Sequence, residues 1–353
     1  MKTSGVYLSG LCCEEAPYLF DQTDILTFML RETQAGEVLQ RHLKILYRAS
    51  GIRRRGSFLP DFGMLQPAFF STRPPIDARM QRYFEAVLPV AKQAAIRSLA
   101  QSGLETQDIT HLITVSCTGM AAPGLDLQLM KTLALPAHTQ RTAVHFMGCY
   151  AAFHAWRLAK AIAQQSPRHR VLIVDAEFCS LHFTPSTEPD HLLANALFAD
   201  GVAACVVSAC PGHAQAELLN FQSLYLPQGE DDMAWHIGQD SFLMRLSTYV
   251  PKLVESGIPA LLQLYDKHSQ ANIEHWAIHP GGKRILQAVE KALGLPPAAL
   301  AVSYEVLRNY GNMSSVTIFF VLQQLLQKQA RGYCWAAGFG PGLTLESALL
   351  RLL

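Results

Sequence analysis

The feature that most limits how this 353-residue chain can fold is that it nearly repeats itself. The stretch DITHLITVSCTG from Asp108 is answered, at an offset of 164, by NIEHWAIHPGG from Asn272. Each is a polar lead-in to a short apolar run ending in small residues. Each also follows a helix-like segment, VAKQAAIRSLAQSG at 90–103 and IPALLQLYDKHS at 258–269. GCYAAFHAWRLAKAIAQQ from Gly148 is matched, at an offset of 163, by GNMSSVTIFFVLQQLLQK from Gly311. Strand-like RVLIVDAE from Arg170 is matched, at an offset of 161, by RGYCWAAG from Arg331. Three segments in one order at nearly constant offset mark an internal duplication.

Helix and strand patterns alternate in both copies, which predicts an α/β fold of parallel-type sheets with helices on their faces. Two pseudo-symmetric halves would stack as α/β/α/β/α layers around buried central helices. Turn chemistry in ACPGHAQAE (209–217) divides the chain into an N-terminal half, 1–210, and a C-terminal half, 211–353. Packed about a pseudo-twofold, the two long apolar helices lie together, and their N-terminal ends, at Cys149 and Asn312, become neighbours.

That neighbourhood holds the candidate chemistry. A cysteine at a helix N-terminus meets unsatisfied N–H groups that favour the thiolate. Cys149 in FMGCYAAF is therefore either a core filler or a presented nucleophile, and the Gly–Asn at the matching place in the other half favours the nucleophile. His279 lies in HWAIHPGG, after an apolar strand and one proline before two glycines, at the end of a strand where open α/β folds hold ligands. Asn312 in NYGNMSSV is a helix cap or an amide donor for a developing oxyanion. Cysteine, histidine and asparagine together suggest acyl transfer through a thioester.

Composition narrows the partners. A net charge of +1 argues against a general nucleic-acid surface, and no apolar run reaches the roughly 18 residues of a membrane span. The opening twenty residues lack the apolar stretch of a signal peptide. Eight cysteines are scattered with no metal-ligand rhythm, as expected of reduced thiols in a cytoplasmic protein without a metal.

The chain resembles the chalcone-synthase-like type III polyketide synthases of the thiolase-fold condensing enzymes. The resemblance rests on GCYAAFHAWRLAKA around Cys149, ALFADGVAA around Phe198, HPGGKRIL around His279, NYGNMSSV around Asn312 and GFGPGLTLES from Gly338. SCTGMAAPGLDLQL (116–129) and GIRRR (51–55) also fit. It implies that Cys149 carries an acyl starter taken from acyl-CoA. His279 and Asn312 would stabilise the enolate left when malonyl-CoA loses CO₂, and His279 would hold Cys149 as thiolate. Extension and ring closure would give a pyrone- or resorcinol-type product, with coenzyme A thioesters as substrates and no other cofactor. Phe198 would be the gatekeeper, and Cys117, His182, Met244, Ser314, Gly340 and Pro341 would line the pocket. Lys44, Arg48 and Arg284 would meet the CoA phosphates. The family's homodimer would bring neighbouring subunits together near CTGMAAPG.

Cys117 and His182 stand where plant enzymes have pocket threonines, and Met244 stands where a phenylalanine is usual, which argues against chalcone as the product. A carrier-protein-dependent ketoacyl synthase of fatty-acid initiation is the alternative; HPGG, Phe198 and GFGPGLT favour the polyketide branch. A papain-like hydrolase lacks a CGSCW-type surround and leaves the duplication unexplained. A non-catalytic relative would have lost one of the three residues, and none is missing. Starter identity stays open between a small aromatic and a fatty acyl group, with the fatty group preferred.

Overall fold

The computed structural model describes residues 5–63, 68–238, 241–296 and 298–353. Among them the strands are β1 (Tyr7–Glu14), β2 (Tyr18–Asp21), β3 (Arg54–Ser57), β4 (His111–Ser116), β5 (Gln140–His145), β6 (Arg170–Phe178) and β7 (Asp200–Ser208). The second half adds β8 (Ala214–Tyr225), β9 (Met233–Ile237), β10 (Phe242–Leu246), β11 (Ile273–Ile278), β12 (Gly332–Gly340) and β13 (Thr344–Leu352). Nine of them form one sheet, in the order β11-β12-β13-β8-β1-β7-β6-β4-β5. The pairs β2/β3 and β9/β10 are separate antiparallel ribbons.

The duplication is visible in this order. Read outward from the junction of β1 with β8, one arm runs β1-β7-β6-β4-β5 and the other β8-β13-β12-β11. Strand β4 matches β11, β6 matches β12 and β7 matches β13, with the same sense of pairing in both arms. The sheet is mixed rather than parallel. Parallel pairing is confined to β4/β5, β4/β6 and β11/β12. Neighbours β12 and β13 are joined by only the three residues Pro341–Leu343, too few for a crossover helix, so they must run antiparallel. Among the described residues strand β5 has no counterpart in the C-terminal arm.

Strand alternation sorts side chains into layers. In β4, Ile113 and Val115 enter the central core while Leu112 faces the outer N-terminal layer. In β12, Cys334 and Ala336 face the centre while Trp335 and Ala337 face the outer C-terminal layer. The central layer is the helix pair Ala151–Gln165 and Thr317–Gln327, sandwiched between the two arms. Residues 317–322 of the second helix are buried on every side, as a helix covered all round requires. Trp156 and Phe319 meet edge to face at 5.0 Å where the two helices touch. Outside, the helix Ile76–Gln101 covers the N-terminal arm, and Val250–Gln263 with Lys283–Leu293 cover the other. The α/β/α/β/α layering around buried central helices is as the sequence predicts.

Candidate active site

The two central helices begin at corners of similar build. At the first, β5 ends at His145, Phe146 takes φ +60° and Gly148 φ +78°, and the helix starts at Ala151, whose N–H donates to the Gly148 carbonyl at 3.0 Å. A Cβ on Gly148 would lie 2.2 Å from Pro341 Cδ, so this corner admits only glycine. The Gly148 N–H donates to Cys117 Sγ at 2.9 Å, which anchors the turn from below.

At the second corner Gly311 has φ +76° and Ser314 φ +51°. The Asn312 N–H donates to Leu197 O at 2.9 Å, and Asn312 O accepts from Ala199 N–H at 2.8 Å, so Phe198 is bracketed beside it. Asn312 Nδ2 donates to Gly281 O at 3.2 Å, and its Oδ1 accepts from Ser314 N–H at 2.9 Å. An amide nitrogen carries two hydrogens, so the second is available to the Cys149 sulfur in the cavity. Buried Arg55 donates to Phe198 O at 2.6 Å and, through Nε, to Gln22 at 2.9 Å, fixing the Phe198 backbone from the other side. His279 follows β11, its N–H donating to Ala337 O at 2.8 Å.

Cys149, Phe198, His279 and Asn312 all line one cavity of about 600 Å³, a volume typical of small-molecule sites. Its walls are largely apolar, with Leu43, Leu193, Leu197, Trp235, Met244 and Phe339 among them. Hydroxyl and charged groups, including Ser247, Thr248, Lys283, Arg284 and Arg245, share the lining.

Burial governs the electrostatics. It pushes the Cys149 thiol up to about 12; the Ser314 hydroxyl and Asn312 amide act against this by favouring the thiolate. It pulls His279 down to about 3, and neither ring nitrogen has a hydrogen-bond partner among the described residues. Burial thus acts on both groups in favour of their neutral forms, whereas Ser314 and Asn312 act in favour of the thiolate. Beneath the corner lie two buried carboxylates, Asp175 and Glu177. Glu177 accepts from the Cys117 N–H at 3.0 Å and the Thr118 hydroxyl at 2.7 Å, and Ser315 Oγ bridges both acids. Burial, reinforced by mutual repulsion at Asp175, raises both pKa values.

Of the remaining expected residues, Met244, Pro341 and Arg284 line the cavity. Cys117, His182, Ser314 and Gly340 do not. Cys117 is fully buried under Gly148, and Ser314 lies against the Cys149 sulfur. His182 is boxed by Trp235 and Phe242, at 4.3 and 4.6 Å between ring centres, and so stands behind the Trp235 wall. Gly340 packs on Tyr150, between the lining residues Phe339 and Pro341. Lys44 and Arg48 correct the expectation more sharply. The helix Glu37–Ala49 turns Leu39, His42, Leu43, Leu46 and Ala49 to the cavity, and helical spacing sets Lys44 and Arg48 on the opposite, solvent side. Lys283, Arg245 and Arg55 were missed. Lys283 stood in the quoted HPGGKRIL beside Arg284, and Arg55 closed the quoted GIRRR. Among the described residues no cluster of three or more His, Cys, Asp or Glu could hold a metal ion, and no helix is long and apolar enough to cross a membrane. The eight cysteines are unbridged.

Comparison with known proteins agrees with this geometry. The profile for chalcone and stilbene synthases, N-terminal domain, matches residues 12–211, and that for the C-terminal domain matches residues 217–353. The chain is 33% identical over 296 residues to type III polyketide synthase C of Arabidopsis thaliana, covering 79% of this chain and 77% of that one. It is 32% identical over 360 residues to bisdemethoxycurcumin synthase of Oryza sativa subsp. japonica, covering 95% and 89%. It is also 33% identical over 281 residues to probable polyketide synthase 1 of Dictyostelium discoideum, covering 76% of this chain but only 9% of that much longer protein. Among solved structures, the C-terminal type III polyketide synthase domain of the Dictyostelium hybrid Steely1 superposes with a TM-score of 0.93 at 27% identity over 99% of both chains. PKS-I of the brown alga Ectocarpus siliculosus gives 0.91 at 26% over 100% of both. The chain belongs to the chalcone and stilbene synthase family of type III polyketide synthases, enzymes that transfer and condense acyl groups.

Proposed function

We propose that the protein loads an aliphatic acyl group from acyl-CoA onto Cys149, extends it with malonyl-CoA by decarboxylative condensation, and releases a pyrone- or resorcinol-type polyketide. The observation that carries this is the meeting of Cys149, His279, Asn312 and Phe198 on one cavity. Neutral His279 takes the thiol proton as the sulfur attacks the starter carbonyl. The new S–C bond forms, the thioester bond to CoA breaks, and the CoA sulfur leaves with that proton. Malonyl-CoA then loses CO₂, and the electron pair of the broken C–C bond becomes an enolate. The enolate oxygen accepts from the second Asn312 N–H, the one not given to Gly281 O, and from His279. Its carbon attacks the Cys149 thioester, forming a C–C bond and freeing the sulfur. Phe198, held between Asn312 and Arg55, keeps water from the enolate.

The largely apolar walls, in which leucine is the commonest residue and Met233, Met244 and Trp235 add to it, favour an aliphatic starter, because such a lining gives polar groups on a starter few partners. The same reading takes the protein as a cytoplasmic homodimer divided near residue 210. The sheet-edge strand β5 exposes Gln140–Ala143, and the Ala121–Pro123 tip beside it is exposed too, as surfaces for a second copy would be. The test is incubation with a panel of acyl-CoAs and malonyl-CoA without carrier protein, with products read by mass. Extended products, strongest from aliphatic starters, are expected; strict dependence on a carrier protein would overturn the reading.

A further inference from the structure

Asp175 and Glu177 stand on one face of β6, both shut off from solvent. The groups that act most strongly on them are each other, Ser315, Thr118 and Cys117, and none is a cation. The titratable groups that feel Asp175 from neighbouring elements are Tyr83 of the helix Ile76–Gln101, Cys117 after β4, Cys149 at the helix corner and Cys205 of β7. A phenol or a thiol cannot supply positive charge either. Two full negative charges here would be a like-charge pair buried without a counter-ion, which is costly.

Hydrogens can be counted at the bridge between the two acids. Ser315 Oγ lies 2.9 Å from Asp175 Oδ1 and 3.1 Å from Glu177 Oε1. A serine hydroxyl carries one hydrogen and an ionised carboxylate carries none. Both contacts are hydrogen bonds only if one acid is protonated and donates to Oγ, while Oγ donates to the other. The surroundings choose between them. Glu177 receives the Cys117 N–H at 3.0 Å and the Thr118 hydroxyl at 2.7 Å. Thr118 Oγ1 itself accepts from the Phe178 N–H at 3.1 Å, which leaves its own hydrogen for Glu177. Such donors favour a charged carboxylate. Asp175 has Ser315 alone, and its Oδ2 has no partner among the described residues. A bare carbonyl oxygen in the interior costs far less than a bare charge.

We infer that Asp175 is a protonated positioning residue, whose Oδ1–H donates to Ser315 Oγ so that Ser315 in turn donates to Glu177. This chain of hydrogen bonds braces the two helix corners against each other. Ser315 follows Ser314, whose side chain lies against the Cys149 sulfur and whose N–H holds Asn312 Oδ1 at 2.9 Å. Glu177 holds the Cys117 N–H, and the Cys117 sulfur accepts from the Gly148 N–H at 2.9 Å. One proton on Asp175 therefore keeps the Asn312 corner on Glu177, and Glu177 keeps the Cys149 corner in place. It also limits the charge beneath the thiol to one, since each acid, when ionised, disfavours the thiolate. The inference rests on the reading of Cys149 and Asn312 as working groups of the condensation.

Infrared difference spectra of the parent against Asp175→Asn at neutral pH read the proton directly. The C=O stretch of a protonated carboxyl group should disappear with the substitution. In the parent that band should move to lower frequency when aspartate is carbon-isotope-labelled at its side-chain carboxyl, and stay when glutamate is. Turnover reads the brace. Asp175→Val removes the donor to Ser315 and should lower kcat with malonyl-CoA about 10-fold, with KM within about twofold. Asp175→Asn, whose amide donates to Ser315 in place of the acid, should recover kcat to within about threefold of the parent. Should Asp175→Val fail to fold, Ser315→Ala removes the bridging oxygen with little change in volume and should lower kcat by a similar factor. The proposal is overturned if the band lost is that of a carboxylate, or if the protonated band follows the glutamate label. It is also overturned if Asp175→Val and Asp175→Asn have the same kcat, or if Ser315→Ala keeps kcat within about twofold of the parent. Full turnover by Cys149→Ala would remove the underlying reading instead, and the infrared result does not depend on it.

Discussion

Gly148→Ala tests how much of the rate depends on where the cysteine corner holds the thiol. The added methyl group would lie 2.2 Å from Pro341 Cδ, whereas ordinary contact begins at 3.4 Å, so more than an ångström of overlap must be absorbed. Gly148 also has φ +78°. A left-handed alanine costs about 1–2 kcal/mol, and overpacking typically costs about 1–3 kcal/mol more. Unrelieved, the substitution would destabilise the protein by about 2–5 kcal/mol. The strain can relax by displacing either the Pro341 turn or the Cys149 corner, both of which line the cavity. A misplacement of about 1 Å in a catalytic group can cost about 100-fold in rate. We expect kcat for polyketide formation to fall by about that factor, with a lowered melting temperature. Adding Pro341→Ala removes the clashing ring atoms and should restore part of the rate, a coupling that a double-mutant cycle measures. Turnover within about threefold of the parent at unchanged melting temperature would refute the argument that this corner is sterically fixed.

Cys149→Ala should abolish product while leaving melting unchanged, as calorimetry and product analysis will show; residual turnover at the parent rate would exclude the covalent route. Because His279 is pulled down to about 3, kcat/KM should show no acid limb near the ordinary histidine value of 6.5, and a limb there would contradict a neutral resting imidazole. The same shift has a sign in stability. Between those values the unfolded chain binds the proton and the folded chain does not, so this group's contribution is full above 6.5 and is lost as pH falls toward 3. His279→Gln should therefore lose less stability than the parent on acidification from about pH 6.5 to 4.5, as urea unfolding would measure. Arg55→Met strips buried donors from Phe198 O and Gln22 Oε1 and should destabilise the protein by about 1–3 kcal/mol per orphaned acceptor. It should also release CO₂ from malonyl-CoA without matching chain extension, whereas tight coupling in that variant would show that Phe198 needs no such support.

The segments at offsets 164, 163 and 161 were legible because helix and strand periods are written in side-chain polarity, and they became β4/β11, the two central helices, and β6/β12. Hydrogen-bond partnership is not written there, so the joining of both halves through β1 and β8 could not be read. Nor could the antiparallel β6/β7 and β12/β13 pairs. Cys149 and Asn312 stood out because each follows a glycine at the start of a helix, and His279 because it ends a strand just before a Pro–Gly–Gly turn; the fold brings all three to one cavity. Lys44 and Arg48 failed for a definite reason. Spacing of four puts two residues on one helix face without saying which face meets the cavity, and Leu39, Leu43 and Leu46 had already claimed it. His182 failed because its aromatic box draws on Trp235 and Phe242, distant in sequence and brought near by the β9/β10 ribbon.

The duplication also explains why the site lies between the halves. Each half joins two equivalent strands by a segment that reaches the other half's helix corner. In the N-terminal half, residues 179–199 link β6 to β7, and Leu197 and Ala199 hydrogen-bond to Asn312. In the C-terminal half, Pro341–Leu343 link β12 to β13, and Pro341 presses on Gly148. The contacts are reciprocal down to the glycine: a Cβ on Gly311 would meet Ala199 at 3.1 Å, as one on Gly148 would meet Pro341. One link is a long excursion and the other a single tight turn, and that difference breaks the symmetry. The short link leaves room at its corner, and the long one fills the space opposite with Leu192, Leu193, Leu197 and Phe198, all on the cavity wall. A symmetric pair of links would give two equal corners and no enclosed volume between them. Shortening 179–199 should therefore remove the cavity wall and the clamp on Asn312 together, while Cys149 and His279, whose backbones are held by other segments, keep their places.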